Sequence, residues 1–139
     1  MKRVMLLGDS IRMMTEAKVR EKLGTDFEVW SPEKNCRYTA LTLNELRYYF
    51  KKFPDPEIIH WNNGLWDIAI LYDDDGNFTP LPVYLENLKR ILKQLRKTGA
   101  KIIFATTTPT HPKKVNRPSP QGSRHYNSDI AKYNAAAIE

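Results

Sequence analysis

Lys2 to Leu7 places Val4, Met5, Leu6 and Leu7 in an unbroken apolar run that stops at Gly8, the pattern of a strand buried on both faces. The period then changes. From Ile11 to Leu23, Ile11, Met14, Ala17 and Val19 mix with charged residues as in a partly exposed helix, and Gly24 ends it. Phe27 to Trp30 predicts a second strand, closed by Ser31 and Pro32. Within Leu41 to Phe53, Leu43, Leu46, Tyr49, Phe50 and Phe53 recur at helical spacing, and Pro54 and Pro56 cut the helix off. Glu57 to Trp61 predicts the third strand and Lys101 to Thr106, with Ile102, Ile103 and Phe104, the fourth. Between them, Leu85, Leu88, Ile91, Leu92 and Leu95 mark an amphipathic helix that Gly99 closes. Ser128 and Asp129 read as the start of a last helix through Ile130, Tyr133, Ala137 and Ile138.

Strands that alternate with helices pair in parallel through right-handed crossovers, so the pattern predicts a three-layer α/β sheet. Functional residues in such sheets gather beyond the carboxyl ends of the strands. That rule brings together Gly8 to Ser10, Pro32 to Arg37 and Asn62 to Asp67, joined by the Thr106 to Pro109 segment. The connection from Thr106 through a Pro-rich stretch to Gln121 and Gly122 exceeds ordinary loop length and reads as a functional surface loop.

Length and composition narrow the class. With 139 residues, 41% hydrophobic and 27% charged, the chain predicts one globular domain, 1–139. A single cysteine, Cys36, excludes an internal disulfide framework. No apolar run approaches the roughly 20 residues of a membrane span, and Gly8 and Asp9 interrupt the only early one, so a cytoplasmic protein with an intact start and no membrane partner is expected. The net charge of +6 raises the question of an anionic partner. Its cations concentrate in Lys89, Arg90, Lys93, Arg96 and Lys97 on one helix and in Lys113, Lys114, Arg117 and Arg124 near the long loop. No aromatic residue interleaves with the helical set to stack on bases, so a solvated face is the better reading and a nucleic-acid partner is not expected.

The chemistry lies in the loops. Ser10 stands where a buried strand turns into a helix, a place where unpaired backbone N–H groups favour developing negative charge, which suits a nucleophile and equally an N-cap. Arg12 occupies the second glycine's place of a Gly-x-Ser-x-Gly elbow, so this is not that motif. Asn62 and Asn63 follow the third strand, and an asparagine amide can donate to an oxyanion as well as fill a turn. Asn35 and Cys36 follow the second strand, where a backbone N–H could point inward. Asp73, Asp74 and Asp75 lack the alternation of a calcium loop, and His and Cys are too few for a zinc site, so neither metal nor cofactor is expected.

Together these residues resemble the SGNH, or GDSL-type, hydrolases, a family of esterases and acyl hydrolases. VMLLGDSIR (Val4 to Arg12) is similar to the family's first block with Ser10 in the nucleophile position. PEKNCRYT (Pro32 to Thr39) stands in the place of the second, and IIHWNNGLWDI (Ile58 to Ile68) is similar to an Asn-Asn-Gly-Leu form of the third. The resemblance implies a flavodoxin-like sheet and hydrolysis of a small-molecule carboxylic ester, such as an acetyl group on a sugar. It assigns the oxyanion hole to the N–H of Ser10, the N–H near Cys36 and the amide of Asn63 or Asn62, and makes Trp66 a candidate pocket wall.

Three departures qualify it. Cys36 stands where the family has a glycine; matching Gly64 and Asp67 to the third block puts Trp66 in the asparagine's place; and the closing Asp-His block that supplies the general base has no match. His60 falls inside a strand, while His111 and His125 lie on the correct edge of the sheet as substitute bases. The last helix also ends without Gly or a cation. The expectation is therefore a C-terminally incomplete, inactive SGNH domain lacking its last strand and helix, with an uncovered sheet edge open to self-association. The alternative is a non-catalytic domain that binds an anionic partner through its basic helix and loop.

Overall fold

The computed structural model describes residues 1–111 and 123–139. Four strands form one parallel sheet: β1 (Lys2–Leu7), β2 (Phe27–Trp30), β3 (Ile58–Trp61) and β5 (Lys101–Phe104), in the order β2-β1-β3-β5. β1 pairs with β2 from Lys2 beside Phe27 and with β3 from Val4 beside Ile58, so the strand with the longest apolar run, Val4 to Leu7, lies inside the sheet. The helices are α1 (Ser10–Leu23), α2 (Thr39–Lys52), α4 (Leu81–Arg96) and α5 (Asn127–Ile138), with one turn, α3 (Leu65–Ile68), after β3. β4 (Ile70–Leu71) and β6 (Ser123–Arg124) pair antiparallel as a small second sheet. The sequence pattern does not predict α3, β4 or β6, because two to four residues are too short to show a period.

Alternation along the strands divides the core. Met5, Leu7, Ile59 and Trp61 point to one face and pack with Leu46, Tyr49 and Phe53 of the α2 segment, Leu88, Ile91 and Leu95 of α4, and Ile130 and Tyr133 of α5. Val4, Leu6, Ile58, His60 and Ile103 point the other way, toward Ile11, Thr15, Val19 and Leu23 of α1. On that side a groove of about 470 Å³ remains between α1 and the sheet, and Ile103 on the edge strand β5 is 42% exposed. Its strand neighbours Ile102 and Phe104 are half-buried and pack against the closed core.

Among the described residues no helix is long and apolar enough to cross a membrane. The cations of α4 are all exposed, and Lys113, Lys114 and Arg117 lie outside the described residues.

Candidate functional site

At the carboxyl end of the sheet the loops are tied in pairs by backbone bonds. Cys36 N–H donates to Gly8 O at 3.1 Å, Asn62 N–H to Leu7 O at 3.1 Å and Ala105 N–H to Trp61 O at 2.8 Å, while the Asn62 amide donates to Ala105 O at 2.7 Å. Four loops thus meet at the end of β1, and Ser10 stands beside that junction.

Which residue caps α1 decides what Ser10 is free to do. Asp9 is the N-cap: its Oδ1 accepts from Ile11 N–H at 2.9 Å, and the carboxyl is buried. Ser10 is therefore the first helical residue, exposed, with no hydrogen-bond partner for its hydroxyl among the described residues. Its own N–H lies in the first turn, where a helix leaves N–H groups without internal partners. The second oxygen of Asp9, Oδ2, is buried without a partner among the described residues. Burial pushes the Asp9 carboxyl above its ordinary range, against the lowering pull of Ile11 N–H, Arg12 and His125.

Arg12 is the fastening of this corner. Its guanidinium, almost fully buried, donates to Pro32 O at 2.8 Å, Lys34 O at 2.9 Å and Glu16 at 2.9 Å, and reaches Gly8 O at 3.4 Å. A Cβ at residue 8 would sit 2.8 Å from the Arg12 Cβ, so only glycine lets the arginine fold back across the end of β1.

The expected oxyanion donors are distributed differently. Both amide hydrogens of Asn63 are engaged, by Arg37 O at 3.1 Å and Thr42 Oγ1 at 3.0 Å, and its Oδ1 accepts from Trp61 Nε1 at 2.7 Å. The side chain is fully buried and braces the second loop from below. The Cys36 N–H is held by Gly8 O, and its buried thiol accepts from the Tyr49 hydroxyl at 3.7 Å. Asn62 differs: it is half-buried on the groove wall and uses one amide hydrogen on Ala105 O. Of the assigned donors, Ser10 N–H and the second amide hydrogen of Asn62 are the ones without a described partner.

Beneath this edge, Asp67 is fully buried and accepts from Thr39 N–H at 3.0 Å and Thr39 Oγ1 at 2.7 Å; Asn87 of α4 donates to Thr39 Oγ1 at 3.0 Å, and Tyr84 donates to Asn63 O at 2.6 Å. Burial raises the Asp67 carboxyl above its usual range in spite of these donors. Gly64 is glycine for space, since a Cβ there would lie 1.7 Å from Thr107 Oγ1, a buried hydroxyl without a partner among the described residues.

The histidines occupy three environments. His60 is half-buried in the groove, where desolvation lowers its pKa. His125 lies close enough to Asp9 to act on its charge, and its Nε2 is 2.9 Å from Leu65 O. His111 is exposed. Among the described residues no cluster of His, Cys, Asp or Glu is arranged to hold a metal ion. Trp66 is 40% exposed on the rim rather than in the groove.

No family model matches the sequence, nor does any curated protein. Solved structures do match. An acetyl xylan esterase, AlAXEase, superposes with a TM-score of 0.63 at 15% identity over 98% of this chain and 70% of its own. TesA gives 0.66 at 16% over 99% and 73%, and a carbohydrate acetylesterase family member from Sinorhizobium meliloti gives 0.70 at 13% over 99% and 77%. The chain has the fold of the SGNH-type esterases. In this SGNH-type fold Ser10 opens α1 just beyond the carboxyl end of β1, a central strand of the sheet, where the loops converge.

Proposed function

We propose that the protein is an ester hydrolase of the SGNH type with Ser10 as its nucleophile. The observation that carries the reading is the exposed, unpartnered Ser10 hydroxyl at the start of α1, freed from capping by Asp9 and set beside the junction of the loops. The esterases that share the fold support it. Ser10 Oγ attacks the acyl carbon and gives its proton to a general base; the Ser10 N–H and the free amide hydrogen of Asn62 hold the negative oxygen; the C–O bond to the alcohol then breaks, the alcohol takes the proton, and water releases the acid from the serine. The Ser10 hydroxyl bonds to no described histidine, so no described base is engaged with the nucleophile. The edge at Ile103 is then a contact surface for a further segment or a second copy.

Hydrolysis of p-nitrophenyl acetate tests the reading. The 139-residue chain should show no more than the residual roughly 10³ to 10⁴-fold acceleration over water that oxyanion donors and binding leave when a triad is incomplete, and Ser10→Ala should change it little. Ordinary turnover lost in His125→Ala or His111→Ala would hand the base to that histidine; ordinary turnover untouched by Ser10→Ala would end the proposal.

One observation favours the second reading, an anion-binding domain. A cleft of about 660 Å³ between α2 and α4 is lined by Arg47, Arg90 and Lys93 together with Leu43 and Phe50. Affinity for an anionic partner that falls steeply with salt and is lost in Arg90→Gln would favour it.

A further inference from the structure

The cleft of about 660 Å³ between α2 and α4 joins an apolar floor to cationic rims. Along α2, Ala40, Leu43, Arg47 and Phe50 recur every three or four residues and so share one face; along α4, Asn87, Arg90 and Gln94 do the same, with Lys93 beside them. Leu46 is buried and Leu43 and Phe50 are half-buried, while Arg47 on one rim and Arg90 and Lys93 on the other are exposed. From Ala40 to Phe50 the helix rises about 15 Å, so the cleft runs for about three helical turns.

The charges on these rims are unanswered. Arg47, Arg90 and Lys93 form no hydrogen bond or ion pair among the described residues, and no carboxylate lines the cleft. Cations gathered on facing walls repel one another, and a partner of opposite charge reverses the sign of that interaction. A ligand that is only charged leaves the floor bare, and one that is only apolar leaves the cations without partners. The surface therefore matches a partner that is apolar along one line and acidic on its flanks. An amphipathic helix with acidic flanks has that distribution: its apolar anchors recur at i, i+3 or i+4, and i+7, and Leu43 and Phe50 lie the same seven residues apart. The furrow between two packed helices is also the shape that receives a third. A single-stranded nucleic acid would bring anions but needs rings on which to stack its bases, and among the described residues the lining holds one ring, the half-buried Phe50.

We propose that the cleft between α2 and α4 is the docking site for an acidic amphipathic helix of a partner protein. The inference rests on the anion-binding reading of this cleft and gives its partner a shape. It holds with or without chemistry at Ser10, because every residue of the lining belongs to α2 or α4 and none to the loops beside the serine.

Fluorescence anisotropy tests it, with the intact 139-residue chain titrated into a labelled peptide of about 14 residues that carries leucines on one helical face and glutamates on both flanks. The controls are the same residues in scrambled order, polyglutamate of equal length and an oligothymidylate. The patterned peptide should saturate one site per chain, and each control should bind at least roughly tenfold more weakly. Arg47→Gln and Arg90→Gln should each weaken the peptide roughly two- to fivefold, the scale of an exposed ion pair, whereas Arg96→Gln, on α4 but outside the lining, should change little. The three arginines are exposed, so the variants should fold, and unchanged circular dichroism confirms that a loss is local. With Arg47, Arg90 and Lys93 all replaced by glutamate, preference should pass to a peptide carrying lysine in place of glutamate. Polyglutamate or the scrambled peptide binding as tightly as the patterned one would keep an anion site but overturn the helix. Oligothymidylate binding as tightly would assign the face to nucleic acid, and equal losses in Arg96→Gln and Arg90→Gln would reduce it to general charge; both would overturn the inference. Binding of none of the four probes would overturn the helix and the anion-binding reading together, leaving hydrolysis of p-nitrophenyl acetate to decide the role of Ser10 separately.

Discussion

The two sides of the sheet differ in a way their strands do not announce. On the α2, α4 and α5 side, Met5, Leu7, Ile59, Ile91 and Leu95 are wholly or almost wholly buried, and the polar groups at the strand ends close on one another: Asn63 on Thr42, Arg37 and Trp61, and Asp67 and Asn87 on Thr39. On the α1 side the groove stays open, Ile103 faces solvent, and the buried Asp9 Oδ2 and Thr107 Oγ1 have no partner among the described residues. A satisfied polar network fixes a loop, while unsatisfied polar atoms at a strand end mark where something else is meant to bind. On the proposed reading, one side of the edge holds the site and the other carries out the chemistry.

The largest expected effect is in packing. Leu95→Ala removes a fully buried side chain from the closed side and should cost about 2–5 kcal/mol, whereas Ile103→Ala, on the open side, should cost less than about 1 kcal/mol. Urea midpoints for the two variants measure the contrast directly. Equal losses would mean that the groove is filled in solution and that the two sides are alike.

How much of this was legible depended on the length over which a residue type acts. The four main strands and the long helices were readable because their apolar residues repeat over many positions, and β1 and β2 match the predicted bounds. The position of Ser10 followed from a single topological rule. The division of labour between Asn62 and Asn63 was not readable, since adjacent asparagines point to opposite sides of the chain and only the fold decides which meets Thr42. Nor was Arg12, whose four partners come from segments up to 22 residues away. Read only as a residue that breaks a glycine motif, it turns out to hold two loops together.

Titration sharpens the comparison further. Asp67, on the closed side, has its pKa raised above 3.8 chiefly by burial, so the folded protein holds that proton more tightly than the unfolded chain. Its contribution to stability is fully present below pH 3.8 and is lost as pH rises through the raised folded value. Glu16 has the opposite sign: its pKa lies below 4.5, so its contribution is present above that pH and lost as pH falls. Comparing each pH with the same pH in Asp67→Asn isolates Asp67. The stability difference should move in the variant's favour from about pH 4 toward neutral, by an amount smaller than the Leu95→Ala loss. A difference that does not change with pH would show that the Thr39 bonds fully offset the burial of the carboxyl.

The smallest effect is the most discriminating, because it compares one substitution on both sides. Thr42 and Thr107 are each buried, and valine replaces threonine at nearly constant shape. Thr42 Oγ1 donates to Cys36 O at 3.0 Å and accepts from Asn63 Nδ2 at 3.0 Å, so Thr42→Val leaves a buried carbonyl and a buried amide each short of a partner and should cost about 1–3 kcal/mol. Thr107 is held by its backbone, which exchanges bonds of 2.8 Å with the Asn134 side chain, and its hydroxyl lies against Gly64 without a partner among the described residues. Removing an unsatisfied buried hydroxyl loses no bond, so Thr107→Val should change stability by less than about 0.5 kcal/mol, in either direction. Thermal melts of the pair test this. A loss at Thr107 as large as at Thr42 would mean that its hydroxyl is already satisfied in solution, and the open side would then be a second closed network rather than the place where a ligand completes the edge.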